Sequence, residues 1–248
     1  MEINLGLAQW RGFLRSLLIY NNPKIVRPMQ RFYRELLRDG DLAFDIGADD
    51  GMRARATRAA GARVVALEPQ APFAGYLRVT LPRDIRFLEV AAGPTETVAK
   101  MAVSRRHPTV SSLRSGFAEE AGVKPGFEHV RWDIEQHVVV TMLDKLIAEE
   151  GVPRYIKIDV EGFELDVLAG LSQPVELISV EYLPGLPHLS NAVIDRLLEL
   201  GAYRFNSVVG ESSAFLWQDW HDGDATKDWL RGLPANASSG DLYARLSD

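Results

Sequence analysis

A short apolar run from Leu42 to Ile46 carries one acid, Asp45, and turns through Gly47-Ala48-Asp49-Asp50-Gly51 into a stretch of helical composition. Such a turn brings backbone N–H groups and a helix N-terminus close to whatever lies above the strand end, and its glycines permit that approach. The spacing is G-x-x-x-G, not the G-x-G-x-x-G of a dinucleotide pyrophosphate site, and Asp45, Asp49 and Asp50 would repel phosphate. A ligand without phosphate suits the turn better. S-adenosylmethionine is one, having an amino-acid tail, a sulfonium and a ribose. A tight βα connection that merely needs small residues reads the same way, so the turn by itself leaves both open.

A second acid closes the next apolar run. Glu68, in Ala66-Leu67-Glu68-Pro69, follows Asp45 at close to the roughly 20-residue spacing at which a carboxylate reaches ribose hydroxyls in folds of this kind. Two carboxylate oxygens can accept from two adjacent hydroxyls, and Pro69 favours an extended Glu68 and stops the strand there. Further on, Tyr155-Ile156-Lys157-Ile158-Asp159-Val160 continues into Glu161-Gly162-Phe163-Glu164. Lys157 and Asp159 share one face of an otherwise apolar element, where charge is costly unless paired. They read either as a structural ion pair or as site residues at a strand's carboxyl end, where open α/β sheets place their ligands. Glu181 ends the following run, so Asp159, Glu161 and Glu181 are expected to converge on one rim. Three carboxylates can hold a hard divalent cation, but the spacing matches no metal loop and no metal is expected. The five histidines are scattered. Only His107, in the cationic stretch Arg105 to Arg114, is placed to act as a base over a substrate, and a solvated loop explains it as well.

The elements that must position these residues alternate. Leu42 to Ile46, Arg63 to Leu67, Ile85 to Val90, Tyr155 to Val160 and Leu177 to Val180 read as buried strands; Met52 to Ala60, Pro72 to Leu81 and Phe163 to Leu171 read as helices between them. Right-handed crossovers then give a parallel sheet covered on both faces. Between about 94 and 142 the rhythm breaks, with extra strands at Glu96 to Ser104 and Val130 to Met142, so an insertion is expected there. A helix through Leu200 leads to two strands, Tyr203 to Val208 and Ser213 to Trp217, expected as an edge hairpin. Ahead of the sheet, Trp10 to Leu18 and Met29 to Leu37 read as amphipathic helices whose polar faces carry Arg11, Arg15, Arg27, Arg31, Arg34 and Arg38. These suit either a solvated outer face or contact with an anionic surface. Residues 1–40 thus form a helical extension, 41–233 the main domain, and 234–248, rich in Pro, Ala, Ser and Gly at its start, a flexible tail.

A length of 248 residues with 46 % hydrophobic content suits one large α/β domain. A formal net charge of −6 speaks against a general nucleic-acid surface. The absence of cysteine removes thiolate catalysis, disulfides and cysteine-ligated zinc, and a cytoplasmic location is the expectation. No apolar run reaches the about 18 residues of a membrane span. Oligomeric state is not legible.

In this order, the pieces resemble the FkbM family of S-adenosylmethionine-dependent methyltransferases over Asp41 to Glu181. The similarity lies in a D-x-G-A-N-x-G turn (Asp45 to Gly51), an A-x-E-P strand end (Ala66 to Pro69), the Ala92-Gly93 turn, a V-x-T-L-D-like element (Val140 to Asp144), the K-I-D-V-E-G-x-E segment (Lys157 to Glu164), and Glu181. The resemblance implies a Rossmann-like class I methyltransferase fold, a seven-stranded, mostly parallel sheet with an antiparallel last strand, and O-methylation of a small molecule or sugar. It implies that Asp45, Gly47, Ala48, Asp49, Gly51, Glu68, Pro69, Ala92 and Asp159 hold S-adenosylmethionine, with Lys157, Asp159, Glu161 and Glu181 at the reacting end. Asp49 departs from the family's usual Asn and adds an acid near the cofactor. Two other readings remain: a non-catalytic binding or regulatory subunit that kept the fold, and an NAD(P)-dependent oxidoreductase, for which the glycine spacing is wrong.

Overall fold

The computed structural model describes residues 22–124 and 127–247; the helix expected around Trp10 to Leu18 lies outside them. The second N-terminal helix, α1 (Pro23–Leu36), begins where Asn22 Oδ1 accepts the Lys24 N–H at 3.0 Å and Pro23 takes the first helical position, a favoured combination for a start. It therefore starts ahead of Pro28, which sits inside it.

β1 (Leu42–Ile46) is buried along its whole length, as a central parallel strand must be. It is followed by α2 (Met52–Ala59), β2 (Arg63–Leu67), α3 (Phe73–Thr80), and β3 (Arg86–Leu88), which is shorter than the expected run to Val90. The remaining main-sheet elements are β7 (Tyr155–Ile158), β8 (Leu177–Tyr182), β9 (Tyr203–Val209) and β10 (Gly240–Leu246). The order is β3-β2-β1-β7-β8-β10-β9. β10 alone runs antiparallel to its neighbours. This is the seven-stranded sheet with a reversed last strand of the class I methyltransferase fold.

The alternation along each strand sorts the core into two layers. Phe44, Ile46, Val65, Leu67, Ile156 and Ile158 face one core, closed by α5 (Leu143–Glu150), α6 (Glu164–Ala169), α7 (Pro187–Leu200) and α8 (Gly223–Gly232). Ala43, Val64, Ala66 and Tyr155 face the other, under α1, α2 and α3. The expected interruption folds as a small second sheet, β4-β6-β5, from β4 (Ala91–Ala92), β5 (Thr97–Val103) and β6 (Ile134–Thr141), with a short α4 (Phe117–Ala121). Gln136 of β6 fastens it to the β2–α3 connection: its Nε2 donates to the Pro69 carbonyl at 2.7 Å and its Oε1 accepts the Ala71 N–H at 3.2 Å.

Two expectations about the C-terminal part are corrected. Of the stretch 234–248, expected as a flexible tail, Gly240–Leu246 form β10, which fills the slot between β8 and β9, where both neighbours complete its backbone hydrogen bonds. Ser213 to Trp217 is no strand. Ser213 has φ +52°, and the apolar spacing there reflects side-chain packing, with Phe215 edge-on to Phe32 and Tyr243 and Trp217 stacked on His221. Helices α5 and α8 are not expected from the sequence, because each follows a strand or loop without a break in polarity.

Tyr243 of β10 is buried, stacks on Tyr155 at 6.3 Å and meets Phe32 of α1 edge-on at 5.6 Å. Tyr243→Ala is expected to lower unfolding stability by about 3 kcal/mol or more, the usual cost of deleting a buried aromatic. Denaturant titration checks this, and an unchanged midpoint would show that β10 is not part of the cooperative core.

Candidate active site

The pleat puts the acids of five strands on one face. Glu68 continues the parity of Val64 and Ala66, Asp45 that of Ala43, Lys157 and Asp159 that of Tyr155, Glu181 that of Leu177, and Asp241 that of Tyr243. Asp45 lies beside Lys157 in the β1–β7 register, and Glu181 beside Asp241 in the β8–β10 register. All six open into a cavity of about 330 Å³ at the strands' carboxyl ends. Among the described residues, nine carboxyl-bearing side chains line it against two cationic ones, Arg53 and Lys157.

The floor is held by two left-handed turns that meet. Gly47 has φ +78°, and a Cβ there would lie 1.8 Å from the Asp159 carbonyl oxygen; no other residue allows β1 and β7 to end so close. Glu161 and Gly162 are also left-handed, at φ +54° and +87°. Glu164 clasps that turn, accepting the Val160 and Gly162 N–H groups at 3.2 and 3.0 Å. The final Glu of the K-I-D-V-E-G-x-E segment is thus a turn clamp.

Glu68 is pinned as well. Its Oε2 accepts the Asp49 N–H at 2.9 Å and its Oε1 the Gln70 N–H at 2.8 Å, which leaves lone pairs on both oxygens. Burial lifts its pKa to about 7 despite those two donors. Burial likewise lifts Asp45 to about 6 against the pull of Lys157 and Arg53, and both Asp45 oxygens are buried without a partner among the described residues. Asp49, at φ +48°, occupies a left-handed position that Asn and Asp tolerate better than most residues. Burial, reinforced by Glu68 and Asp50, holds its pKa well above the ordinary range, which favours the uncharged acid, a group of carboxamide shape.

Lys157 Nζ donates to Asp159 Oδ2 at 2.7 Å, with the lysine side chain 3 % exposed and the aspartate 29 %. Burial works against the lysine's charge, but Asp159 and Asp241 outweigh it and keep the ammonium. Burial would also raise Asp159, yet Lys157 and Arg53 hold it ionised. Glu161 and Glu181 go the other way, pushed well above the carboxylate range by burial and by their neighbouring acids. One oxygen from each of Asp159, Glu161 and Glu181 lies within 4.8 Å of the others.

Of the residues singled out from the sequence, Asp45, Gly47, Ala48, Asp49, Glu68, Pro69, Ala92, Lys157, Asp159, Glu161 and Glu181 all line the cavity. Gly51 does not; its φ of +78° starts α2 beneath the turn. His107 stays outside, although Pro108 to Ser111 beside it form part of the wall. Sequence reading missed Gln70, buried beside Glu68 with its Nε2 unpartnered. It also missed Arg53, which pairs with Asp241 at 3.2 Å and Glu211 at 3.3 Å. Asp241 itself was hidden in the supposed tail, where the alternation Leu242, Ala244, Leu246 was the available signal.

The fold is that of a Rossmann-like class I methyltransferase. The family model described as the methyltransferase FkbM domain matches residues 45–233, and the chain belongs to that family. Among solved structures, it is similar to precorrin-6Y C5,15-methyltransferase from Geobacter metallireducens at 14 % identity, with 92 % of this chain and 89 % of that one covered and a TM-score of 0.48. It is also similar to an O-methyltransferase from Bacillus cereus in complex with SAH, at 12 % identity, 99 % and 94 % coverage and a TM-score of 0.45. These likenesses are too distant to bear on substrate. No curated protein matches the chain in sequence.

Because Glu68 is raised from its ordinary value of 4.5 to about 7, the folded state binds its proton more tightly than the unfolded chain does. Its contribution to stability is therefore lost as pH rises through that window and stays lost above it. In ligand-free protein, Glu68→Gln should flatten the fall in unfolding free energy between pH 4.5 and 7. Denaturation curves at several pH values test this, and parallel profiles for the two proteins would contradict the shift.

Proposed function

We propose that this chain transfers a methyl group from S-adenosylmethionine to a hydroxyl of a small neutral molecule or sugar. The observation that carries the reading is Glu68: two backbone N–H groups fix a buried carboxylate whose remaining lone pairs face the cavity, an arrangement suited to a ribose diol. The rest of the donor set fits the same ligand. Asp45 offers two unpartnered oxygens to an ammonium, Gln70 offers an unpartnered amide next to Glu68, and Gly47 and Ala48 keep the floor close. Ala92 and Pro69 supply apolar wall. The surplus of carboxyl groups suits a sulfonium and disfavours the phosphates of NAD(P).

When bound, this cofactor supplies an electrophilic methyl group on sulfur. The chain's part is alignment and proton handling. Lys157 keeps Asp159 ionised and fixed, so Asp159 orients the acceptor hydroxyl and is itself a weak base. Glu161, made a stronger base than an ordinary carboxylate by burial and its acidic neighbours, takes the hydroxyl proton on a carboxylate oxygen when ionised, with Glu181 beside it. The far wall, from Met101, Thr109, Ser111, Leu113 and Phe127, is apolar with hydroxyls, which favours an uncharged acceptor.

Calorimetric titration with S-adenosylmethionine and its demethylated product is the direct test. One-to-one binding of both is expected; heat with NAD(P) alone would overturn the reading. Glu68→Ala should weaken binding by about 1–3 kcal/mol in a folded protein. Asp49→Asn should leave affinity at neutral pH within about twofold, because burial and its acidic neighbours favour the uncharged acid, which an amide resembles; a larger change would mean that Asp49 is charged. Glu161→Gln should cut turnover about 100-fold or more with cofactor affinity retained, and the reverse ranking would move Glu161 from proton transfer to cofactor binding.

A further inference from the structure

We propose that the outward face of α1 docks on an anionic lipid surface. Lys24, Arg27, Arg31 and Arg34 follow one another at spacings of three and four residues along the helix, and Arg38 extends the row just past its end. At about 100° per residue the four helical cations occupy an arc of about 80°, centred opposite the arc of Met29, Phe32 and Tyr33. The first set is exposed and the second buried against the domain. The helix is therefore fastened by one side and presents a row of cations with the other, over about 20 Å.

None of the five forms an ion pair among the described residues; Arg34 donates only to the Ala59 carbonyl, at 3.4 Å. This separates them from the arginines of the neighbouring elements, since Arg58 pairs with Asp84, Arg63 with Glu150 and Arg154 with Glu176. In a chain of net charge −6, these five cations outnumber the one acid of the helix, exposed Glu35 at the edge of their arc, and form a local field opposite in sign to the whole. The row is straight and exposed on a rigidly seated helix, so it can meet a flat sheet of anionic headgroups with every member at once. It contains no aromatic side chain to stack on a nucleic-acid base. The long Arg and Lys stems can lie along the interface while their heads reach the phosphates. Bilayer attraction of this kind is electrostatic and screened by salt.

Co-sedimentation of the full chain with vesicles of phosphatidylcholine, with and without phosphatidylglycerol, tests this at low and high salt. Binding to the anionic vesicles alone is expected, and loss of that binding at high salt. The triple variant R27E/R31E/R38E, all at exposed positions with no ion-pair partner among the described residues, should reduce partitioning by about 100-fold or more, as three basic residues contribute about 1 kcal/mol each. R27K/R31K/R38K should restore it. Retained binding of S-adenosylhomocysteine and an unchanged thermal melt would show that the glutamate variant is folded and would keep this test separate from the methyltransferase reading. Equal or absent binding of the unaltered chain to both vesicles, binding undiminished in the glutamate variant, or displacement from vesicles by single-stranded RNA would each overturn the proposal.

Discussion

One buried ammonium organises the site. Lys157 reaches the carboxyl end of a central strand with almost no access to water, and its charge is kept there by Asp159 and Asp241. A buried charge without a partner would be prohibitive, so Asp159 must remain ionised and in place. The turn that carries Asp159 is in turn held by Gly47 on one side and Glu164 on the other. The geometry of the floor, the choice of glycine in the β1 turn, and the final Glu of the Lys157 to Glu164 segment all follow from placing that one charge.

The same ammonium explains why the acids differ. One cation can hold one neighbour ionised, and Asp159 has the 2.7 Å contact. Asp45, Asp49, Glu161 and Glu181 share the cavity without such a contact, so desolvation governs them and their protons are retained to higher pH. A cavity that looks strongly anionic by residue count thus holds several acids whose burial favours the uncharged form. Asp49 is one of them, and in that form it resembles the Asn usual in the family.

Most of this was legible in the sequence because buried parallel strands are continuous apolar runs and their ends are marked by acids, glycines and a proline. β1 and β2 appear in the structure with the bounds their composition implies, and eleven of the twelve residues assigned to the site line the cavity. What escaped depends on tertiary pairing. β10 is composed like a polar tail with a few apolar residues, and only the two strands waiting on either side make it a strand. Ser213 to Trp217 has strand-like spacing but packs its aromatic rings on a helix and on β10, leaving its backbone outside the ladder. Arg53 and Gln70 carry no sequence signal, since each follows a motif residue and acquires a place in the site only when the sheet brings Asp241 or Glu68 against it.

The position of β10 has an implication for how the molecule is assembled. The last strand in sequence occupies an interior slot, and β9 joins the sheet only through it. Its pairing with β8 closes a long loop, the kind of contact that forms late because chain entropy must be lost before the contact contributes. Until then the sheet ends at β8 with an open edge, Asp241 is absent from the Arg53 pair, and one wall of the cavity is missing. Completion of the ligand cavity is thereby tied to completion of the fold, and a partly folded chain presents an unpaired strand edge where the finished protein has a site.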